Sequence, residues 1–265
     1  MQSYRGLFKM SFKGELQYRA KAISGISTQF FWGLLYIYLY TAFMGGNLIE
    51  GFSVSQMCSY VWLGQAFFVL RYIDMPKHSA REIENGDVCY KFVRPINIYN
   101  QWYFEHLGQK LSATLLRFLP IILISRILPK SIKLSLPVSF AAFGLFVLAL
   151  AVGALMASAI SMIVVFLTFK TQSARGTQYM VNTLVGVLGG FYIPLPFMPQ
   201  ALQNVLNYLP FRFIVDLPFR IYIGNIGLQT AIQFILLSVI WLVIIIVLGK
   251  LLMKKALNKT VIQGG

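Results

Sequence analysis

The chain is predicted to be all-α: a polytopic membrane protein with six transmembrane helices. Three observations carry that expectation. Apolar residues make up 57% of its 265 residues and charged residues only 12%, about half the share found in a soluble domain. Six separate apolar segments occur, against a requirement of about 20 residues for a spanning helix. Finally, Lys and Arg are concentrated in alternate loops, so the formal charge of +15 reads as topology and not as a surface for nucleic acid.

Residues 1–21 interleave Arg5, Lys9, Lys13 and Arg19 with Tyr4, Leu7, Phe8, Phe12 and Leu16. Apolar positions recur at spacings of three and four, which predicts an amphipathic helix lying in the inner interface; a plain basic flank that only sets orientation is the alternative. Residues 22–265 form the membrane domain. Its expected spans are Ile23 to Met44, Val54 to Leu70, Leu111 to Leu128, Val138 to Phe169, Val181 to Ile193 and Ile232 to Leu252. The first lacks a small-x-small cleavage site and is expected to be retained. The fourth exceeds the bilayer thickness and must tilt, bend or protrude, while the fifth is short. Gly153, Ala154, Ala157 and Ser158 of the fourth allow close helix approach, either within the bundle or against a second protomer.

Between the second and third spans the chain reads SAREIENGDVCYKFVRP from Ser79. Ser79 and Glu82 have capping-box spacing, and Gly86 supplies a stop. The result is a helix of about two turns presenting Arg81, Glu82, Glu84 and Asp87 to water, of a size to enter a cleft on a soluble partner. After the fifth span, Pro194, Pro196, Pro199, Pro210 and Pro218 interrupt an apolar stretch. No straight helix continues through them, and the apolar residues disfavour water. A pair of short helices dipping back into the outer leaflet is expected, one of them Ala201 to Leu209, with its broken backbone satisfied by protein and water.

The segment before Ile23 holds five basic residues, Arg71 to Lys110 six, Lys170 to Arg175 two and the tail from Lys250 four. Against these 17, the other three loops hold five. The positive-inside rule therefore places both termini in the cytoplasm, in agreement with an even number of spans. Cys58 and Cys89 fall on opposite faces of this map, so no intrachain disulfide is expected.

The chemistry expected of an enzyme is missing. Lys130-Ser131, Lys170-Thr171 and Lys259-Thr260 lack the glycine pattern of a P-loop. His78 and His106 stand apart from any Cys/His/Asp cluster and are expected at the surface or the interface, with no metal and no cofactor on this chain. Arg117 is expected to be the ionisable residue of the spans. It either snorkels to the inner interface or faces an inward cavity and meets an anionic substrate or a neighbour's carboxylate. An ion-coupled secondary transporter is the alternative function, but it would call for polar groups near mid-membrane and an internal repeat.

Two segments carry a resemblance. The stretch EIENGDVCYKFVRPINIY from Glu82 is similar to the acidic-x-x-G…RP segment of permease subunits of type 2 ABC transporters. The stretch GGFYIPLPFMPQALQNVLNYLPFRFIVDLPFRIYIG from Gly189 resembles the proline-punctuated segment before their last span. The sequence departs from many relatives near Phe92-Val93, where Leu or a basic residue is usual. The resemblance implies a subunit, without a fused ATPase, of a drug, multidrug, peptide or lipid-like exporter in a bacterial plasma membrane. Its partners would be two ABC ATPase subunits, which bind ATP and Mg, and a second permease chain, identical or related, among membrane lipids. The segment around Ser79, Arg81, Glu82, Glu84, Gly86, Asp87, Arg94 and Pro95 would then be the coupling helix and its flank. Pro194, Pro196, Pro199, Leu206 and Pro210 would belong to an outer gate, and Arg117 to the pathway.

Overall fold

The computed structural model describes residues 2–44, 52–91 and 96–259. Among these the elements are α1 (Gln2–Glu15), α2 (Arg19–Met44), α3 (Val54–Ala66), α4 (Phe68–Arg71), α5 (Ser79–Glu84), α6 (Ile98–Ile127), α7 (Phe140–Thr171), α8 (Ala174–Leu188), α9 (Gln200–Leu206), α10 (Asp216–Tyr222) and α11 (Leu228–Lys259). Three 3₁₀ turns, Asp87–Lys91, Leu195–Phe197 and Pro210–Ile214, complete the set.

Among the described residues four helices are long and apolar enough to cross a membrane: Ala22–Phe43, Ile98–Ile127, Phe140–Thr171 and Leu228–Asn258. The other two expected spans are shorter as helices. Ser53 and Gln56 form a reciprocal capping box at the start of α3, but the helix breaks at Phe67 and resumes only as the four residues of α4. The chain then runs on without helix from Tyr72 to His78. Helix α8 starts seven residues before the expected Val181, because Ser173 caps it. It ends in a Schellman arrangement, with Gly190 at φ 76° and the Phe191 amide donating to the Gly186 carbonyl at 2.8 Å.

Helix α7 is the axis of the bundle and is buried over most of its length. Its small residues serve packing within this chain: the Ile214 carbonyl comes so near Gly153 that a Cβ there would stand 2.5 Å from it. The third span is much longer than its apolar core suggested, since α6 begins at Ile98 behind an Asn97 cap. Its extra turns receive α1. Tyr4 stacks on Phe104 with ring centroids 5.7 Å apart, and the Phe8 carbonyl lies against Gly108. The apolar stripe of α1 is thus taken up by α6, and α1 runs alongside it.

Between α8 and α11 the chain folds as the prolines require. Leu195, Met198 and Leu206 form a small core of their own, and Pro199 precedes α9, which spans Gln200–Leu206 in place of the expected Ala201 to Leu209. A buried ionic group follows. Asp216 is fully buried and accepts from the Tyr60 hydroxyl of α3 at 2.9 Å. The Arg212 Nε lies 3.4 Å from its other oxygen and an Arg220 Nη1 4.0 Å. Removing one member of a buried ion group leaves an uncompensated charge, typically costing about 3–5 kcal/mol. Asp216→Ala is therefore expected to lower the thermal unfolding midpoint of the detergent-solubilised protein markedly; an unchanged midpoint would show that Tyr60 and the arginines do not hold this segment.

Candidate functional site

The segment singled out by sequence begins at Ser79; together with the stretch before it, from Tyr72, its described part to Lys91 is bound to four helices. Helix α5 spans six residues and ends at Gly86, whose φ of 79° lies in the region that L-residues disfavour. The predicted capping box does not form. Ser79 is the first helical residue and is fully buried, and its hydroxyl donates to the Pro76 carbonyl at 2.8 Å in a tight turn. With the hydroxyl used inside that turn, the helix starts on the His78 carbonyl, which accepts from the Glu82 amide. Arg81, Glu84 and Asp87 are exposed, as expected. Glu82 is half-buried and pairs with Lys91 at 2.7 Å. Glu84 reaches back to the protein, its carboxylate accepting from the Ala174 amide at 3.1 Å. An anion there also complements the amino end of α8. Arg94 and Pro95 lie outside the described residues.

Between the Tyr72 amide, which closes α4 on the Phe68 carbonyl, and the His78 carbonyl, which starts α5, the chain has no helical hydrogen bonds, so its polar groups must be met from outside. Lys110 of α6 does most of this. Its ammonium donates to the carbonyls of Val69 (3.1 Å) and Tyr72 (2.6 Å) and to the Asp74 carboxylate (2.8 Å). Asp74 also meets the Nε2 of His106 at 3.0 Å, and the Nδ1 of that ring lies 3.2 Å from the Ser158 hydroxyl of α7. Asn182 of α8 holds Ile73 from both sides, its side-chain oxygen accepting from the Ile73 amide at 2.8 Å and its nitrogen donating to the Ile73 carbonyl. The Thr168 hydroxyl meets the Met75 sulfur at 3.4 Å, and Lys77 pairs with Glu15 at the end of α1. Burial works to raise the Asp74 carboxyl, but Lys110 and the hydrogen bond to His106 outweigh it and hold the group below the usual carboxylate range.

His106 is therefore not a surface residue: it is 1% exposed, because the early start of α6 carries it inside the bundle. Arg117 is not alone among the ionisable groups inside the bundle: Lys110, Asp216 and Arg212 are buried and the Arg71 guanidinium stacks on Phe191. Arg71 follows the apolar run of the second span, and its charge reads as a boundary. In fact the side chain turns back along α3, with its Nη1 4.0 Å from where a Cβ of Gly64 would stand, and its Cζ lies 3.0 Å from the Phe191 ring centroid. Arg117 is half-buried against Gly25 of α2. Pro194, Pro196, Leu206 and Pro210 are buried in the outer hairpin and Pro199 is exposed. The residues that hold the loop, Asp74, His106, Lys110 and Asn182, left no sequence signal beyond being polar near apolar runs.

No individual curated protein matches the chain. A family described as ABC-2 family transporter protein matches residues 30–264, which takes in every expected span except the first residues of the first. The loop fastened to α6, α7 and α8 and the proline-broken hairpin both fall within that match, and the chain belongs to the ABC-2 transporter family.

Proposed function

We propose that this chain is the six-span permease subunit of an ATP-driven exporter, and that α5 receives the motion of a separate ABC ATPase subunit. Two permease chains, identical or related, and two ATPase subunits would make the transporter in a bacterial plasma membrane. ATP and Mg would be held by the ATPases. In this reading α3 with α4 and α8 are the second and fifth spans, the fifth completed across the bilayer by the turns after Leu188.

The observation that carries the proposal is the fastening of the loop. A helix of six residues adds little stability by itself, yet its flanks are held by Lys110, His106, Asn182, Thr168 and Glu15, and Glu84 closes the start of α8. A push on α5 is thereby delivered to α6, α7 and α8 together. A ligand shifts a conformational equilibrium only through unequal binding to its states. The exposed Arg81 and Asp87, with the outer face of α5, are where an ATPase would make contacts that differ between states. The outer hairpin around Pro194 to Pro210 sits at the far end of α8 and would close the pathway there.

Gly86→Val forces a β-branched residue to a positive φ, at a cost of about 1–2 kcal/mol. Stimulation of the partner ATPase should fall towards its unstimulated rate while the permease still inserts. Full stimulation and normal efflux in Gly86→Val would remove α5 from the coupling path. Lys110→Met strips the Val69 and Tyr72 carbonyls and Asp74 of a charged donor, each such bond being worth about 1.5–3 kcal/mol. It should uncouple ATPase activity from transport more severely than Arg81→Ala does.

The clamp also has a pH signature. Asp74 titrates below an unfolded carboxylate, so its contribution is complete above about pH 4 and disappears only as pH falls through the depressed value. Coupling measured between pH 5 and 8 should not change through this group. An acid-side loss beginning above pH 5 that is absent in Asp74→Asn would contradict the ion pair.

Orientation follows from the 17-to-five basic bias. In intact cells and a Cys89→Ser background, Lys130→Cys should react with an impermeant thiol reagent and Gln172→Cys should not; the reverse pattern would invert the topology.

A further inference from the structure

A cavity of about 440 Å³ opens between α2, α3, α4 and α6. Its walls are aromatic, with Trp32 and Tyr36 on one side and Phe68 and Phe191 on another, and two guanidinium groups border it, Arg71 and Arg117. Arg117 lies at the Gly25 end. Arg71 is stacked on Phe191 and Phe68, its Nε is buried, and that atom has no hydrogen-bond partner among the described residues. The amide oxygen of Gln29, a residue 3% exposed that also lines the cavity, is in the same position. Buried polar atoms are normally satisfied, and those left open at a cavity ask for a ligand or water.

The charge is what narrows the ligand. No acidic residue lines this cavity. The chain has eight Asp and Glu residues in all. Glu15, Asp74, Glu82 and Asp216 are taken by ion pairs, Glu84 by the Ala174 amide, and Glu105 by Gln101 on the early turns of α6. Asp87 belongs to the 3₁₀ turn after α5, and Glu50 to the loop joining the first two expected spans. A second copy of the chain brings the same inventory, and among its described residues every carboxylate but Asp87 is already committed. Cation–π stacking on Phe68 and Phe191 offsets only part of what burying a guanidinium charge costs.

We propose that this cavity binds the anionic headgroup of an amphiphile, a phosphate or carboxylate held by Arg71, with its alkyl chain lying on the aromatic walls and the exposed apolar face of α2. The planar guanidinium suits two parallel hydrogen bonds to such a group. The volume accommodates a headgroup and the first part of a chain, while Phe31 and Leu35, exposed on α2, continue the apolar surface outside. That the amphiphile is the exported cargo rests on the exporter reading; its binding does not, and the ATPase experiments above are independent of it.

The test uses the purified full chain in dodecyl maltoside. Thermal midpoint and tryptophan fluorescence are followed while dodecyl phosphate, dodecyltrimethylammonium or inorganic phosphate is added. Dodecyl phosphate should saturate at a concentration about tenfold lower than the cationic analogue, a discrimination of about 1.4 kcal/mol. Arg71→Gln should abolish that preference and Arg71→Lys should keep part of it. Equal responses to both alkyl compounds in the native chain overturn the proposal, as does an undiminished preference in Arg71→Gln. A response to inorganic phosphate as strong as that to dodecyl phosphate would identify a simple anion site and overturn the amphiphile assignment. If Arg71→Gln fails to fold, the comparison of the two alkyl compounds on the native chain decides alone.

Discussion

Lys110 is the residue on which the inner half of the bundle depends. The second span stops being helical at Arg71, well before the chain has reached α5. In an apolar setting a non-helical backbone survives only where protein groups satisfy it. One ammonium supplies three donors, spent on two backbone carbonyls and one carboxylate, and Asn182 supplies a donor and an acceptor for Ile73. His106 fills the remaining side of Asp74 and ties it to Ser158. An apolar replacement at Lys110 or Asn182 would leave these backbone groups without those partners.

This constraint explains which features could be read from the chain. Apolar runs and Lys/Arg placement report directly on solvent, so the membrane class, the all-helical fold and the long spans were legible. Proline works through its own ring, so the break-up of the segment after Gly189 was legible as well, to within a residue of the start of α9. The clamp was not. His106 and Lys110 sit on a helix whose first turns, from Ile98 to Lys110, are polar and aromatic, and nothing local distinguishes a turn exposed at the interface from one covered by α1. Arg71 misleads for a different reason. A charge after an apolar run marks the end of a span when the side chain points away from it, whereas here the long arm lies back along α3. Ser79 shows the same ambiguity at shorter range, since one hydroxyl serves a helix start or a Pro76 turn and the motif does not say which.

Helix α8 joins the two ends of the molecule that the sequence marks. Its first free amide takes Glu84, its middle holds Ile73 through Asn182, and its last turn passes through Gly189 and Gly190 into the outer hairpin. There a Cβ at Gly190 would stand 2.8 Å from Leu195. Fifteen residues at about 1.5 Å each give a strut of about 22 Å, stiff along its axis because every internal turn is hydrogen-bonded. In the proposed mechanism a shift of α5 applied at Ala174 would arrive at the hairpin with little loss. The hairpin in turn is not free to absorb it, because Asp216 anchors the following segment to Tyr60 of α3.

Charge is distributed in keeping with such a device. Six of the eight acidic residues are committed to partners within the chain, so the ion pairs that assemble the bundle leave no carboxylate for the cavity beside Arg71. Were that arginine only structural, a neutral residue of similar shape would spare the cost of its desolvation, and hydrophobic replacements of buried ion pairs are often stabilising for that reason. Retaining a cation with a buried, unpartnered Nε therefore makes physical sense where its counter-charge arrives from outside the chain. The position of Arg71, one residue before the clamped stretch, would then place the charge of the proposed ligand and the Lys110 network on the same few residues of backbone.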